Sequence, residues 1–193
     1  MPETALTIAA IASALGTEAC RFDVDVLAEC DSTNSRLLAR ATAAAPAGTV
    51  IVAERQTAGR GRLGRSWYSE PGAGLTYSLL WRFPRGKALG GLSLAVGVAV
   101  AEVLREQGVE AVALKWPNDI LLAGRKLGGI LVEADSGAPD AVVIGLGLNL
   151  RLPADLPPEL ATVAAALGEG WDRASLLARL LTAEGLAVTV AVL

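Results

Sequence analysis

Four consecutive strand candidates, separated only by short connections, occupy the second half of the chain. They lie at residues 111–116, 120–123, 126–134 and 141–150. Strands that follow one another through tight turns, such as the Gly124–Arg125 turn, pair antiparallel, because parallel neighbours need a long crossover connection. The pattern therefore predicts an α+β fold with a mixed, largely antiparallel sheet, and it argues against a regular βαβ alternation.

The rest of the sequence supplies the helices that cover this sheet. Apolar residues recur at helical or alternating spacing, and Gly or Pro residues separate the segments. Helices are predicted at residues 3–15, 32–43, 89–107 and 173–184, and further strands at 22–28, 49–54 and 75–83. A length of 193 residues with 52% hydrophobic composition suits a single core. We expect residues 1–193 to form one domain.

Composition excludes several classes of function. Histidine is absent, which removes Ser–His–Asp triads, HExxH metalloprotease motifs and every His-ligated metal site. Cys20 and Cys30 form no CxxC motif, and free thiols are favoured over a disulfide. The net charge of −3 provides no general basic field for nucleic acid.

The sequence also argues against membrane insertion. The first residues do not follow the pattern of a signal peptide. The apolar runs at residues 89–101 and 185–193 are shorter than the roughly 20 residues that cross a bilayer. We therefore expect a cytoplasmic protein without a membrane partner.

Asparagine, glutamine and lysine are rare, and most of them fall in five short segments. In a chain rich in Ala, Leu, Val, Gly and Arg, a retained amide or ammonium group indicates a position where its geometry is needed. The segments are residues 31–34, 56–67, 115–119, 126–129 and 145–149. Candidate functional residues are therefore sought in these five segments.

Residues 59–64 match the pattern GxGxxG after a predicted strand. A dinucleotide-binding fingerprint must open a helix, whereas loop-forming residues follow here, so that interpretation is rejected. Arg60, Arg62 and Arg65 are suited to bind phosphate or carboxylate oxygens, with glycines allowing close approach of the backbone. A solvated, mobile basic loop is the open alternative.

The other four segments each have a functional and a purely structural interpretation. Asn118 and Asp119 offer oxygens for a Mg²⁺ that bridges phosphates, or they form a Pro-Asn-Asp turn. Lys126 neutralises a phosphate, or it protects an edge strand. Residues 32–34 contact a ligand or cap a helix, and residues 145–149 pack over a ligand or form a bulged strand. Taken together, five segments that share the rarest residues favour one common site.

Five motifs, in this order, resemble the catalytic domain of bacterial biotin protein ligases. They are DSTN at 31–34, GRGRLGR at 59–65, KWPND at 115–119, KLGGILVE at 126–133 and GLGLN at 145–149. The resemblance covers roughly residues 24–185. It implies a fold related to class II aminoacyl-tRNA synthetases. It also implies that biotin and ATP form biotinoyl-5′-adenylate, which then acylates a lysine of a carrier protein.

The resemblance implies a role for each matching residue. The expected biotin contacts are Ser32, Thr33, Asn34, Gln56, Gly59, Arg60, Gly61, Arg62, Lys126 and Gly129. The expected ATP contacts are Arg62, Arg65, Trp67, Asn118, Asp119, Lys126 and Asn149. Arg62, Lys126 and Asp119 are predicted to take part in catalysis, and Asp119 to bind Mg²⁺.

The resemblance further implies a biotin carboxyl carrier protein as partner, either a subunit or a domain of acetyl-CoA carboxylase. The residues before Asp31 are too few for the N-terminal repressor domain of some members, so we expect no DNA binding. The chain also ends before the C-terminal SH3-like barrel of most members. The apolar tail at residues 186–193 is predicted to be an exposed seam for a homodimer.

Two other functions stay open at this point. A lipoate or octanoyl transferase belongs to the same fold group, although KWPND beside GRGRLGR favours biotin. A non-catalytic binder that captures biotin or biotinoyl-adenylate would share the pocket but release no pyrophosphate.

Overall fold

A computed structural model describes residues 6–84, 86 and 89–190. The helices are α1 (Ile8–Leu15), α2 (Thr33–Thr42), α3 (Leu92–Glu106), α4 (Pro158–Ala161) and α5 (Arg173–Val190). The strands are β1 (Asp23–Cys30), β2 (Thr49–Gln56), β3 (Gly74–Arg82), β4 (Val112–Lys115), β5 (Asp119–Leu122), β6 (Arg125–Asp135) and β7 (Ala138–Asn149). Short 3-10 turns occupy Gly16–Arg21 and Arg62–Gly64.

All seven strands belong to one sheet in the order β1-β2-β3-β7-β6-β5-β4. Among the strands of the described residues, only β1 and β2 pair in parallel, because α2 forms the crossover between these two strands. Every other neighbouring pair is antiparallel, and β4 to β7 follow one another as hairpins. The prediction of an α+β fold with a mixed, largely antiparallel sheet is confirmed.

The C-terminal helix is longer than predicted. It was expected to end before Gly185, but α5 continues to Val190. Gly185 lies against the side chains of Arg21 and Phe22, so its missing side chain permits a close helix contact. Val188 is fully buried. The expectation that residues 186–193 form an exposed seam is therefore wrong at Val188, while residues 191–193 lie outside the described part of the chain.

One face of the sheet, here called the closed face, is covered by three helices. Side chains alternate between the two faces of each strand. The strand residues on the closed face are apolar and join α1, α3 and α5 in one core, with Val52, Leu79, Ile130 and Ile144 among its buried members. None of the helices within the described ranges has the length and apolar character to cross a membrane.

The opposite face, here called the open face, is covered only in part. Leu37 and Ala41 of α2 pack on Ile51, Leu80 and Val143 of the sheet. Further along the same face, the alternation places glycines where the closed face has large side chains. These glycines are Gly145, Gly147 and Gly129, and Gly129 lies directly opposite Gly147 in the β6–β7 pair.

Two buried polar pairs hold α5 to the sheet from the closed face. Arg173 donates to both carboxylate oxygens of Glu54, at 3.1 and 2.7 Å. Burial opposes ionisation of Glu54, but the hydrogen bond and charge of Arg173 outweigh it, and the pKa of this carboxyl is lowered. The Tyr77 hydroxyl donates to Oε1 of the fully buried Glu184 at 2.7 Å. Burial raises the pKa of Glu184 to about 8.

Candidate active site

The N-terminus of α2 lies on the open face beside the end of β2. Ser32 is the N-cap of the helix, and its hydroxyl accepts a hydrogen bond from the Ser35 amide at 3.4 Å. The amide and hydroxyl of Thr33 both donate to Oε1 of Gln56, at 2.7 and 3.1 Å. Capping and ligand contact are therefore compatible here, because the residues that begin the helix also fix Gln56.

Asn34 connects α2 to the centre of the sheet. Its Nδ2 donates to the Leu131 carbonyl at 3.2 Å and to Oε2 of Glu133 at 2.8 Å. Its Oδ1 accepts a hydrogen bond from the Ser78 hydroxyl at 2.5 Å. A side chain at Gly145 would overlap this amide, so the glycine makes room for it. Asn34 is only 3% exposed and reaches the sheet rather than solvent.

Trp67 lies across the glycines of the open face. A side chain at Gly147 would overlap its indole, and a Cβ at Gly129 would approach the ring to 3.9 Å. The indole Nε1 is buried and has no hydrogen-bond partner among the described residues. A buried indole N–H without an acceptor is unusual and marks a place where a ligand or water can accept.

The arginine-rich segment is less irregular than its sequence predicts. Arg60 and Ser66 form a short antiparallel bridge, and the turn at Arg62–Gly64 lies between them. Leu63 adopts a left-handed conformation with φ of 58° and is 87% exposed. The residues after these glycines form a short 3-10 turn and then loop, where a dinucleotide fingerprint would open a helix.

The arginine loop, defined as residues 58–66, encloses an open cleft of about 550 Å³ whose remaining walls are Leu131 and Glu133. Nη2 of Arg60 lies 2.6 Å from Oε2 of Glu133. Nη1 of Arg62 donates to Oδ1 of Asn118 at 3.4 Å. The loop therefore faces both β6 and the turn that follows β4.

The KWPND motif forms the hairpin turn between β4 and β5. Nδ2 of Asn118 donates to the Ile130 carbonyl at 2.8 Å, which fixes the turn to β6. Nζ of Lys126 lies 2.7 Å from Oδ1 of Asp119. The β-turn interpretation of this motif is confirmed. A functional role is compatible with it, because Asn118 and Asp119 contact Arg62 and Lys126 at the site.

Lys126 does not belong to an edge strand. Strand β6 lies between β5 and β7, and the backbone of Lys126 pairs with the segment around Ala164. The interpretation of this lysine as edge protection is therefore wrong. A Cβ at Gly129 would lie 3.5 Å from Nζ of Lys126, so the ammonium group stands over the glycine floor, defined as Gly129, Gly145 and Gly147.

Asn149 lies at the end of β7, where the same C-terminal segment passes. Its Nδ2 donates to the Ala165 carbonyl at 3.0 Å, and the Ala165 amide donates to the Lys126 carbonyl at 2.7 Å. A small cavity of about 10 Å³ separates Asn149 from Trp67. Asn149 thus borders the site, with its amide nitrogen committed to the backbone.

Two polar residues of the site were not selected from the sequence as contacts. The Ser78 hydroxyl, which donates to Asn34, also lies 2.7 Å from Oγ1 of Thr33. Glu133 is part of the KLGGILVE motif, yet its ion pair with Arg60 was not foreseen. The available signal was a polar residue in a strand of otherwise apolar character, as in GLTYSLLWR at 74–82.

Metal-binding capacity is restricted to isolated oxygen donors. No group of three or more Cys, Asp or Glu side chains in the described ranges could enclose a metal ion. Asp119 is the carboxylate beside Lys126, and Asn118 adds an amide oxygen. This donor set fits a Mg²⁺ that keeps most of its water and arrives with a phosphate ligand, and it does not fit a closed metal site.

Comparison with known proteins gives a consistent result. Residues 27–149 match the Biotin/lipoate A/B protein ligase family. The chain is 49% identical over 133 residues to "Bifunctional ligase/repressor BirA" of Salmonella typhimurium, covering 67% of this chain and 41% of that protein. It is 41% identical over 166 residues to "Biotin--[acetyl-CoA-carboxylase] ligase" of Mycobacterium tuberculosis, covering 82% of this chain and 61% of that one.

Solved structures agree with the sequence relatives. The structure described as "Biotin protein ligase from Aquifex aeolicus in complex with biotin and ATP" superposes with a TM-score of 0.73 and 34% identity. The match covers 86% of this chain and 70% of that one. The chain spans about two fifths of the length of the first curated relatives that it matches.

Proposed function

Because the chain belongs to the Biotin/lipoate A/B protein ligase family, we propose that it is a biotin protein ligase. It would activate biotin with ATP to biotinoyl-5′-AMP and transfer the biotin to a lysine of a biotin carboxyl carrier protein. The names of the similar proteins and the biotin- and ATP-bound Aquifex structure support this proposal.

The observation that carries the proposal is the convergence of all five rare-residue segments on the open face. Gln56 and Thr33 stand at one end of the glycine floor, and Lys126 at the other. Trp67 lies between them on the floor itself, and the arginine loop stands beside it. Segments more than 100 residues apart in sequence therefore border one surface. Its polar groups stand at two ends with an open cleft beside Trp67, an arrangement that suits an elongated ligand with a polar head and a carboxylate.

Biotin would lie on the open face beside Trp67, in the cleft between the arginine loop and β6. Its polar ring system would meet Thr33 and Gln56, and its carboxylate would point to Lys126. The expected biotin contacts at Ser32, Asn34, Gly59, Arg60, Gly61 and Arg62 border the same surface, and they remain part of the proposal. The expected ATP contacts at Arg65, Trp67, Asn118, Asp119 and Asn149 surround the Lys126 end and the loop.

Charge neutralisation is the main chemical task in the first step. A biotin carboxylate oxygen attacks the α-phosphorus of ATP, the bond to the β-phosphate breaks, and pyrophosphate leaves. The two reactants are both anions, so Arg62 and Lys126 promote the reaction by offsetting their repulsion and aligning them. Neither step requires a protein nucleophile, which agrees with the absence of histidine.

In the second step the carrier lysine amine attacks the biotinoyl carbonyl and AMP leaves. The amine must lose a proton, and Asp119 is the carboxylate placed to help, through its contact with Lys126. Mg²⁺ bound with ATP would be held by Asp119 and Asn118 and would supply further charge neutralisation at the phosphates.

Several broader expectations belong to the same proposal. The described residues form one sheet with its helices, which supports treating residues 1–193 as one catalytic domain. The carrier would be a subunit or domain of acetyl-CoA carboxylase, and a homodimer is a further option. The reaction consumes ATP, so a cytoplasmic location is proposed with it.

Mass spectrometry of the purified chain with biotin, ATP and Mg²⁺ tests the proposal. We expect biotinoyl-AMP and pyrophosphate, and then one added biotin on a carboxyl carrier protein, even with excess lipoate as competitor. Transfer of lipoate in place of biotin would identify a lipoate ligase. Biotin binding without pyrophosphate release would identify a non-catalytic binder, and either result would refute the proposal.

A further inference from the structure

Glu133 is a carboxylate in a cleft that is otherwise equipped for anions. It lines the same cleft as the arginine loop, and its side chain is 25% exposed. A free carboxylate there would repel the carboxylate and phosphates of the proposed substrates. Its presence needs an explanation, and its partners supply one.

A single oxygen of Glu133 is shared between two elements. Oε2 accepts from Nδ2 of Asn34 at 2.8 Å and lies 2.6 Å from Nη2 of Arg60. Charge-assisted contacts of this length are among the stronger hydrogen bonds in proteins. The carboxylate therefore links the buried start of α2 to the exposed arginine loop.

Asn34 has little capacity left for a ligand. Both hydrogens of its amide are used, by the Leu131 carbonyl and Glu133, and its oxygen accepts from Ser78. The side chain is 3% exposed and lies against Gly145. Such an amide is suited to orient Glu133, and Glu133 in turn to orient Arg60.

We propose that Asn34 and Glu133 are positioning residues that anchor the arginine loop through Arg60. The inference rests on the proposed function and refines it. The anion contacts are assigned to Arg62 and Arg65, and Asn34 and Arg60 hold the loop in place instead of contacting biotin directly. The anchor holds the backbone of Gly59–Gly61 beside the glycine floor, so that the loop retains the biotinoyl-adenylate until transfer. Loss of the anchor would loosen the loop without removing an anion contact.

Trypsin cleavage of the ligand-free chain tests the anchor without requiring activity. In Glu133→Ala, cleavage after Arg62 and Arg65 should become about two- to fivefold faster than in wild type, the effect of losing one partly exposed ion pair. Arg60→Met should accelerate the same cleavages similarly, and the double variant should be no faster than either single one. Glu133→Gln keeps an acceptor oxygen and should be intermediate.

Glu29→Gln is the matched control, because the exposed ion pair of Glu29 with Arg55 joins β1 to β2 and not to the arginine loop. It should be cleaved at the wild-type rate. Unchanged cleavage in Glu133→Ala and Arg60→Met would overturn the anchor. Equal acceleration in Glu29→Gln would overturn it as well, because the effect would then be unspecific.

Retention of biotinoyl-AMP gives the second readout. The adenylate should leave Glu133→Ala about tenfold faster than wild type, with Glu133→Gln between the two. Tighter biotin or adenylate binding in Glu133→Ala would overturn the proposal, because Glu133 would then act as a competitor of the ligand for Arg60. If wild type forms no adenylate at all, the proposed function fails, while the proteolysis result still decides whether the anchor exists.

Discussion

The closed and open faces of the sheet are built by the same strands, but the closed face stabilises the fold and the open face carries the candidate site. The closed face carries large apolar side chains that three helices cover in one core. The open face carries an apolar patch under α2, and glycines where the candidate site lies. Because residues alternate between the faces, a shift of one position along β6 or β7 separates a residue that stabilises the fold from one that borders the ligand.

Lys126→Ala should have the largest effect: it should lower activity strongly and leave stability almost unchanged. Biotin-dependent pyrophosphate release should fall by about 10²–10³-fold, as is typical for the loss of one charged contact to a developing transition state. The free energy of unfolding should change by less than about 1 kcal/mol, because the Lys126–Asp119 ion pair is partly exposed. Steady-state pyrophosphate assays and urea unfolding measure the two quantities.

Arg125 provides the matched control for this lysine. It is the neighbouring residue at the start of β6, carries the same charge and is exposed. Arg125→Ala should therefore keep activity within about twofold, since exposed charges away from a site contribute little. Equal losses in the Lys126 and Arg125 variants would show that general charge, and not the position of Lys126, determines the rate.

Leu79→Ala should have the opposite profile. Leu79 is fully buried on the closed face, and its truncation should lower the free energy of unfolding by about 2–5 kcal/mol. Turnover per folded molecule should be unchanged below the melting temperature. Val98→Ala, on the outward side of α3, is the comparison and should stay within about 0.5 kcal/mol. A catalytic defect in folded Leu79→Ala would contradict the division between the faces.

Glu184→Gln should change how stability depends on pH. The folded pKa of about 8 exceeds the ordinary value of 4.5, so the folded protein binds an extra proton between these values. The stabilisation is complete below about pH 4.5 and is lost as the pH rises towards 8, with a slope of at most about 1.4 kcal/mol per unit.

The glutamine variant should remove this slope above pH 5, as measured by urea unfolding at a series of pH values. Below that range both proteins should still lose stability, because the lowered pKa of Glu54 makes its ion pair with Arg173 fail in acid. An identical pH profile for wild type and Glu184→Gln would show that this carboxyl is ionised in the folded state.

Two glycine-to-alanine substitutions, one on the open face and one in helix α3 over the closed face, should have the smallest effects and differ in their effect on biotin binding. Gly145→Ala would overlap the Asn34 amide and should weaken biotin binding by an amount on the order of 1 kcal/mol, as seen by calorimetry. Gly97→Ala in α3 places its Cβ 3.3 Å from the Leu114 side chain. Helix propensity offsets that contact, so stability and biotin binding should change by less than about 1 kcal/mol. Equal effects on binding would count against the glycine floor.

Alternating and helical patterns account for most of what the sequence predicted. The strand expected at 141–150 appears as Ala138–Asn149. The tight turn expected at Gly124–Arg125 joins β5 to β6 one residue earlier, at Ala123 and Gly124, and Arg125 begins β6. Such features depend on neighbours in sequence. The predicted end of α5 was wrong. Gly185 was expected to stop the helix, but it allows Arg21 and Phe22 to approach, and this contact joins residues that are distant in sequence.

The candidate site shows the same difference between features set by neighbours in sequence and contacts between distant residues. The rare residues indicated the five segments, because the type of each residue can be read from the sequence alone. The partnerships of Ser78 and Glu133 were not visible, since Ser78 meets Asn34 across 44 residues and Glu133 meets Arg60 across 73. Only the register of β3, β7 and β6 brings these side chains onto one face.

Hydrogen–deuterium exchange of the intact chain, with and without biotin and ATP, tests most directly whether the open face is the ligand site. We predict slower exchange at residues 58–67 and 115–119 when both ligands are present, with α1 and α3 unchanged. Protection concentrated in α1 or α3, with the arginine loop and the KWPND turn unaffected, would place the ligands elsewhere and contradict this account.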